Sequence, residues 1–184
     1  MKNKVEVKIL YAIILICISS CSTPKFYSEI TTMQEEIQSD INKQSDSSKK
    51  IKIKECDMNK LVLNKLKDEL KSTNHIIYYY SPDTSLSSEK IWVTIYDSEN
   101  KIYYSLESNS KNPKQIDLIE KGNQLNDKHT SFVFDNYFEN NCDFLKKKGE
   151  VKLSGIRAYE AIYEVNLKDK ENKNCYFKNF ILLD

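Results

Sequence analysis

Few side chains in this 184-residue chain could perform acid–base chemistry. The only histidines are His75, which precedes a predicted strand, and His129, which lies in a polar segment typical of a solvent-exposed loop. Glu160 and Glu164 share one face of another predicted strand and could be considered as the paired carboxylates of a glycosidase, which stand about 5 Å or about 6.5–9.5 Å apart. Any amphipathic strand has this pattern on its solvent-exposed face, and we favour that interpretation. The sequence therefore predicts no catalytic residue.

Compact motifs for metal, phosphate or acyl-group chemistry are also missing from the sequence. There is no glycine-rich phosphate loop, no Gly-x-Ser-x-Gly nucleophile elbow and no His-Glu-x-x-His zinc helix. Asp135, Glu139 and Cys142 follow His129 at spacings that match no metal-ligand pattern. We expect no metal and no cofactor, and a net charge of +1 argues against a nucleic-acid partner.

Aromatic side chains are concentrated in three neighbouring segments that the sequence predicts to be strands. The candidate binding surface is formed by Tyr78, Tyr80, Trp92, Tyr96 and Tyr103. Tyrosine and tryptophan combine an apolar ring with a polar tip, and they are therefore common at contact surfaces. The alternative, which we favour, is that these rings pack against one another across the strands. If any surface of the domain binds a partner, we expect it here.

Local sequence patterns predict an α+β fold whose antiparallel sheet is built from hairpins and accompanied by two or three helices. Asp57 caps a predicted helix over 58–71, and a strand follows over 76–80. Segments 91–96 and 102–106 flank a polar turn and therefore predict a hairpin.

The C-terminal half is predicted to continue this mixed pattern. A short helix is expected over 113–122, a strand over 130–134 and a further helix over 135–147. A second hairpin pairs 157–167 with 175–183. Because the last segment is almost continuously apolar, it predicts a central strand.

The N-terminus has the residue order of a secretory signal. Three lysines among the first eight residues precede the apolar run 9–18. At about ten residues, this run is too short to span a membrane as a helix, which needs roughly 20. The run ends in Ile18-Ser19-Ser20-Cys21, with small residues directly before the cysteine. This order resembles the signal peptide of a bacterial lipoprotein.

The resemblance covers only about the first 22 residues and implies how the chain is processed and located. In that family a diacylglyceryl group is attached to the cysteine thiol, and cleavage before the cysteine leaves an acylated first residue, here Cys21. Acyl chains such as palmitate anchor the protein, because each buried CH2 contributes about 0.8 kcal/mol. The resemblance therefore implies a membrane partner through the N-terminal lipid and a location in the cell envelope. In a Gram-negative cell this would be the outer membrane.

We divide the chain into a signal peptide (1–20), a lipidated N-terminus with a stalk (21–50) and a single globular domain (51–184). Four apolar residues of the stalk recur at helical spacing and form one narrow stripe. These residues are Ile30, Met33, Ile37 and Ile41. We interpret the stripe as part of a stalk helix, and a short seam for self-association is the alternative.

Three cysteines keep an unmodified thiol after this processing, namely Cys56, Cys142 and Cys175. An envelope location permits a disulfide, and three thiols can form only one internal bond. We favour a bond between Cys142 and Cys175, because both lie in the C-terminal part of the chain. The alternative is that all three cysteines are reduced and buried as small apolar residues.

The sequence favours a lipid-anchored envelope protein without catalytic activity that serves as an interaction or accessory module for a protein partner. One alternative is an envelope hydrolase or a sugar- or peptide-binding lipoprotein. Another is an immunity-type lipoprotein that neutralises a toxin. A pocket that gathered His129 with carboxylates would favour the hydrolase or sugar- and peptide-binding alternative.

Overall fold

The computed structural model describes residues 23–44, 56–82, 90–109, 112–149, 158–180 and 182. The predicted signal peptide, Cys21 and the polar linker before residue 51 lie outside these residues. The helices are α1 (Tyr27–Gln44), α2 (Cys56–Lys65), α3 (Lys128–Phe138) and α4 (Cys142–Gly149). The strands are β1 (His75–Pro82), β2 (Ile91–Asp97), β3 (Ile102–Asn109), β4 (Asn112–Gly122), β5 (Tyr159–Asn166) and β6 (Glu171–Lys178).

The six strands form one sheet in the order β4-β3-β2-β1-β5-β6, and every neighbouring pair is antiparallel. Neighbours in the sheet are also neighbours in the chain, except that β1 pairs with β5. The predicted α+β fold with an antiparallel sheet is confirmed. The described residues contain four helices rather than the two or three expected.

Helices cover both faces of the sheet, with α1 and α2 on one face and α3 and α4 on the other. Successive side chains of a strand point to opposite faces. In β1, Ile76 and Tyr78 therefore pack beneath α1 and α2, whereas Ile77 and Tyr79 pack beneath α3 and α4. Because both faces of β1 are covered, apolar and aromatic residues occur at successive positions along this central strand.

Helix α1 belongs to the core of the domain, so the prediction of a stalk before residue 51 is wrong. Its buried side chains are at most 4% exposed and comprise Ile30, Met33, Ile37 and Ile41, preceded by Phe26. The Asn59 amide of α2 donates to Gln34 of α1 at 2.7 Å and accepts from the Tyr78 hydroxyl of β1 at 2.8 Å. A narrow apolar stripe is sufficient to hold α1 in place, because α1 packs directly on the sheet.

Segment 113–122 is the edge strand β4, so the predicted short helix is wrong. Proline at position 113 falls on the second residue of β4, where an edge strand tolerates the missing N–H. The pairing with β3 shifts register between Ser105 and Leu106, which obscures strict alternation in the sequence. Ile116 and Ile119 are three positions apart, a spacing that suggested a helix, but Ile119 is the residue left unpaired at this register shift.

Segment 130–134 is part of helix α3, so the predicted strand there is wrong. Asp127 caps the helix, since its carboxylate accepts the backbone N–H of Thr130 at 2.6 Å. The single helix predicted over 135–147 is also wrong, because this segment belongs to two helices: α3 ends at Phe138 and α4 begins at Cys142.

Strand β6 lies at the edge of the sheet, which corrects the prediction that it is central. Its first four residues are exposed, and its apolar residues Cys175 and Phe177 face the α3 and α4 side. The end of α4 approaches β6 so closely that a Cβ on Gly149 would collide with the backbone of Lys178. Contact with α4 therefore explains the apolar character of this edge strand.

A disulfide joins Cys142 at the start of α4 to Cys175 of β6, with an S–S distance of 2.05 Å. This is the pairing that the sequence analysis favoured. The bond fastens α4 to the edge of the sheet. Among the described residues, no helix is both long and apolar enough to cross a membrane.

Candidate functional site

The predicted aromatic surface is divided between the two faces of the sheet, so it is not one surface. Tyr78 and Tyr80 are 0% and 6% exposed and lie in the core beneath α1 and α2. On the opposite face, Tyr96 packs against Tyr103 with ring centroids 4.5 Å apart. The prediction that Tyr78 and Tyr80 bind a partner is therefore wrong, because strand alternation turns them inward. Of the five residues, Trp92 lines the cleft described next.

A cleft of about 650 Å³ opens on the α3 and α4 side of the sheet, beside Trp92. Strands contribute Trp92, Thr94, Ser105 and Glu160 to its wall, and α3 contributes His129. The volume falls within the range of about 300–1,000 Å³ that is usual for small-molecule sites. The cleft is the candidate functional site.

A buried carboxylate lies in the wall of this cleft. Glu160 is 0% exposed, and it accepts a hydrogen bond from the Tyr79 hydroxyl. Its two carboxylate oxygens lie 3.1 and 3.2 Å from Nε2 of His129. A buried carboxylate is costly unless it is paired and hydrogen-bonded, and these two partners meet that need. The structure therefore brings together an imidazole, a carboxylate and a phenol.

The predictions of a solvated Glu160 and a solvated loop histidine are both wrong. Helix α3 covers the strand face that carries Glu160, and the first turn of α3 places His129 above it. The His129 ring also packs on Phe180, with centroids 4.9 Å apart. About a quarter of the His129 side chain is exposed.

Electrostatic effects on His129 act in opposite directions. Burial lowers the pKa of His129, but the hydrogen bond and charge of Glu160, with the charge of Asp127, outweigh it and raise this pKa above its usual value. The stabilisation from the charged pair is therefore fully present below about pH 6.5, the unfolded value. It is lost as the pH rises through the higher folded-state pKa.

Tyr79 remains a hydrogen-bond donor to Glu160 over a wide pH range. Burial, followed by the charge and hydrogen bond of Glu160, raises the Tyr79 pKa well above its usual value, although a hydrogen bond with Ser81 opposes the shift. A chain of hydrogen bonds therefore runs from Tyr79 through Glu160 to His129 in the cleft wall. This chain fixes the orientation of the imidazole ring.

A second set of the same three side-chain types lies outside the cleft. Glu164 accepts a hydrogen bond from the Tyr137 hydroxyl at 2.8 Å and lies 2.8 Å from Nε2 of His75. Burial, and then the hydrogen bond to Glu164, raises the pKa of Tyr137. The sequence analysis predicted a solvent-exposed His75. About a quarter of its side chain is exposed, but it is paired with Glu164, and this pairing was not predicted. None of these three residues lines the cleft. A substitution in this set is therefore a suitable control for a substitution at His129.

Polar residues suited to hydrogen bonding line the cleft together with Trp92. The hydroxyls of Thr94 and Ser105, on adjacent strands, lie 3.4 Å apart. The Asn179 amide lines the same wall, as does the Glu120 carboxylate. This arrangement can hold a ligand that presents an apolar face to Trp92 and polar groups around its rim.

No group of three or more metal-ligating side chains is arranged for a metal ion within the described part of the chain. Searches with the whole sequence and structure matched no protein-family model, no curated protein and no solved structure. The function is therefore inferred from the geometry of the cleft together with the N-terminal sequence.

Proposed function

We propose that this chain is a lipid-anchored cell-envelope protein whose domain binds a saccharide in the cleft beside Trp92. The observation that supports the ligand class is the single tryptophan of the chain placed among hydroxyl, amide and carboxylate groups in a cleft of about 650 Å³. The envelope location is supported by the lipoprotein-like order that ends in Cys21. An anchored domain would then meet the glycans of the envelope.

A sugar ring matches the chemistry of the cleft wall. Its C–H groups form an apolar face that can stack on an aromatic ring, while its hydroxyls project around the edge as donors and acceptors. Trp92 and Phe180 supply apolar surface, and Thr94, Ser105 and Asn179 supply polar partners. Such a ligand would use both kinds of group, as specific small-molecule sites usually require.

A protein partner is the second candidate. Strand β4 has no neighbour on its outer edge among the described strands, and an exposed edge can pair with a strand of another protein. Leu118 and Ile119 on β4 are 39% and 55% exposed, which adds apolar contact area beside that edge. This interaction would use β4 rather than the aromatic surface predicted from the sequence.

Binding of a saccharide is expected to change the fluorescence of Trp92, the only tryptophan of the chain. The full-length protein, extracted in detergent, would be titrated with the trisaccharide of N-acetylglucosamine as the probe. We expect a saturable change in emission. By calorimetry, Trp92→Ala should weaken binding at least about tenfold, which corresponds to about 1.4 kcal/mol.

The matched control for this titration is Phe144→Ala, because Phe144 is an aromatic residue that is 43% exposed and does not line the cleft. It should bind the trisaccharide as the wild-type protein does. Equal weakening by both substitutions, or no saturable binding by the wild-type protein, would contradict saccharide binding at Trp92.

Lipidation is expected to depend on one cysteine of the N-terminus. Cells producing the full-length chain would be labelled with a palmitate analogue, and the protein would be captured and its mass determined. Cys21→Ser should abolish the label and leave the precursor uncleaved, whereas Cys17→Ser in the apolar run should retain the label. Label that persists after Cys21→Ser would contradict the proposed anchor.

A further inference from the structure

We propose that the cleft also hydrolyses an ester carried by its saccharide ligand, with His129 as the general base. This inference rests on the proposed saccharide binding for its substrate class, which is an O-acylated sugar. The reaction itself depends on the arrangement of His129, Glu160 and Tyr79 in the cleft wall.

The hydrogen bonds of His129 leave one ring nitrogen available as a base. Nε2 faces both oxygens of Glu160, at 3.1 and 3.2 Å. A neutral imidazole carries one N–H, and donation of that hydrogen from Nε2 to the carboxylate leaves a lone pair on Nδ1. Within the described part of the chain, Nδ1 of His129 has no hydrogen-bond partner. A ring held in this tautomer can accept a proton from a bound water.

Glu160 and Tyr79 are positioning residues, because they act through His129. Glu160 is fully buried and is held by the Tyr79 hydroxyl, so its carboxylate cannot turn freely toward solvent. A carboxylate that orients a histidine in this way also stabilises the imidazolium formed during proton transfer. The His75, Glu164 and Tyr137 set has the same side-chain types but does not line the cleft.

The proposed reaction needs only water as a co-reactant. Nδ1 of His129 takes a proton from water while the water oxygen bonds to the ester carbonyl carbon, which gives a tetrahedral oxyanion. The hydroxyls of Thr94 and Ser105 line the same cleft and are available as donors to a substrate oxygen. The carbon–oxygen bond to the sugar then breaks, and the imidazolium returns its proton to the sugar oxygen. The products are a carboxylic acid and a free sugar hydroxyl, with no change in oxidation state.

Hydrolysis would be measured with full-length protein in detergent, using 4-nitrophenyl acetate and an O-acetylated N-acetylglucosamine trisaccharide as probes. His129→Gln should lower kcat/KM at least about 100-fold for both esters, since general-base catalysis typically contributes about 10²- to 10⁴-fold. His75→Gln is the matched control, because it disrupts an equivalent His–Glu pair outside the cleft. It should retain wild-type activity, and thermal unfolding would verify that both variants fold.

A pH profile separates a positioning role of Glu160 from a structural one. The rate should rise with pH as His129 loses its proton, with a midpoint above the usual histidine pKa. Glu160→Gln removes the charge that raises this pKa, so the midpoint should move to lower pH. A variant that was merely less stable would lose activity without moving the midpoint.

The outcomes distinguish this inference from the proposed function. Saccharide binding without ester hydrolysis, or equal hydrolysis by the wild-type protein and His129→Gln, would overturn the catalytic inference and leave saccharide binding in place. His129-dependent hydrolysis of 4-nitrophenyl acetate without trisaccharide binding would support the general base and overturn the saccharide class. If His75→Gln lost as much hydrolysis as His129→Gln, this would contradict the inference that hydrolysis takes place in the cleft.

Discussion

A chain that begins at Ile51 is expected not to fold, whereas a chain that begins at residue 23 folds cooperatively. The shorter chain lacks α1 and hence four apolar side chains, from Ile30 to Ile41, that are at most 4% exposed. Truncation of one buried Ile, Leu or Met side chain typically costs about 2–5 kcal/mol. Because domains are stable by only about 5–15 kcal/mol, loss of the whole helix should exceed the available stability.

Urea unfolding monitored by circular dichroism would compare residues 23–184 with residues 51–184. A single substitution gives a graded version of the same test. Ile37→Ala should lower the free energy of unfolding by about 2–5 kcal/mol, whereas Glu36→Ala, an exposed neighbour on α1, should change it by less than about 0.5 kcal/mol. A cooperative transition of residues 51–184 at the original urea midpoint would show that α1 is a stalk after all.

Removal of the disulfide is expected to destabilise the domain by about 4 kcal/mol. Cys142 and Cys175 are 33 positions apart, and a closed loop of that length restricts the unfolded chain by about this amount of free energy. The double substitution of both cysteines by serine is the variant to measure. It avoids leaving an unpaired thiol that could form another disulfide.

The control for the disulfide is Cys56→Ser, which removes the third cysteine that is not acylated. The wild-type protein and Cys56→Ser should both lose stability when a reductant is added, whereas the Cys142→Ser/Cys175→Ser variant should not respond. Thermal and urea unfolding with and without reductant would measure this difference. A wild-type protein that is unaffected by full reduction of its disulfide would contradict the expected contribution.

The elements that the sequence predicted well are those formed by local pairing. In the hairpin of β2 and β3, Ile95 pairs with Tyr104 across a short polar turn. The β-forming residues of both arms and the polar turn residues all lie within one short segment, so the hairpin can be predicted without knowledge of the rest of the chain. The hairpin of β5 and β6 was also predicted, but its second arm is Glu171–Lys178 rather than 175–183.

The stripe of α1 shows why a correctly recognised pattern was assigned to the wrong environment. Ile30, Met33, Ile37 and Ile41 were read as one helical face, and the structure places them on one face. Their burial depends on contact with the sheet, whose strands begin more than 30 positions later at His75. Sequence spacing determines which residues share a face, but not which element covers it.

The candidate site could not be assembled from sequence because its contacts are distant along the chain. Glu160 meets His129 across 31 positions and Tyr79 across 81 positions. One local signal was present: Asp127 stands three residues before Thr130, a spacing typical of a helix N-cap. Recognition of that cap would have replaced the predicted strand with α3 and placed His129 on an ordered helix.

The pairing of β1 with β5 has a consequence for the order of events during biosynthesis. Tyr78 and its partner Tyr163 are 85 positions apart, so the tyrosine-rich central strand lacks one neighbour until most of the chain has been synthesised. Contacts this distant along the chain slow folding. If the chain is exported to the envelope location proposed above, this delay would keep the polypeptide unfolded while it crosses the membrane. The sheet can then close, and the bond between Cys142 and Cys175 can form, on the oxidising side of the membrane.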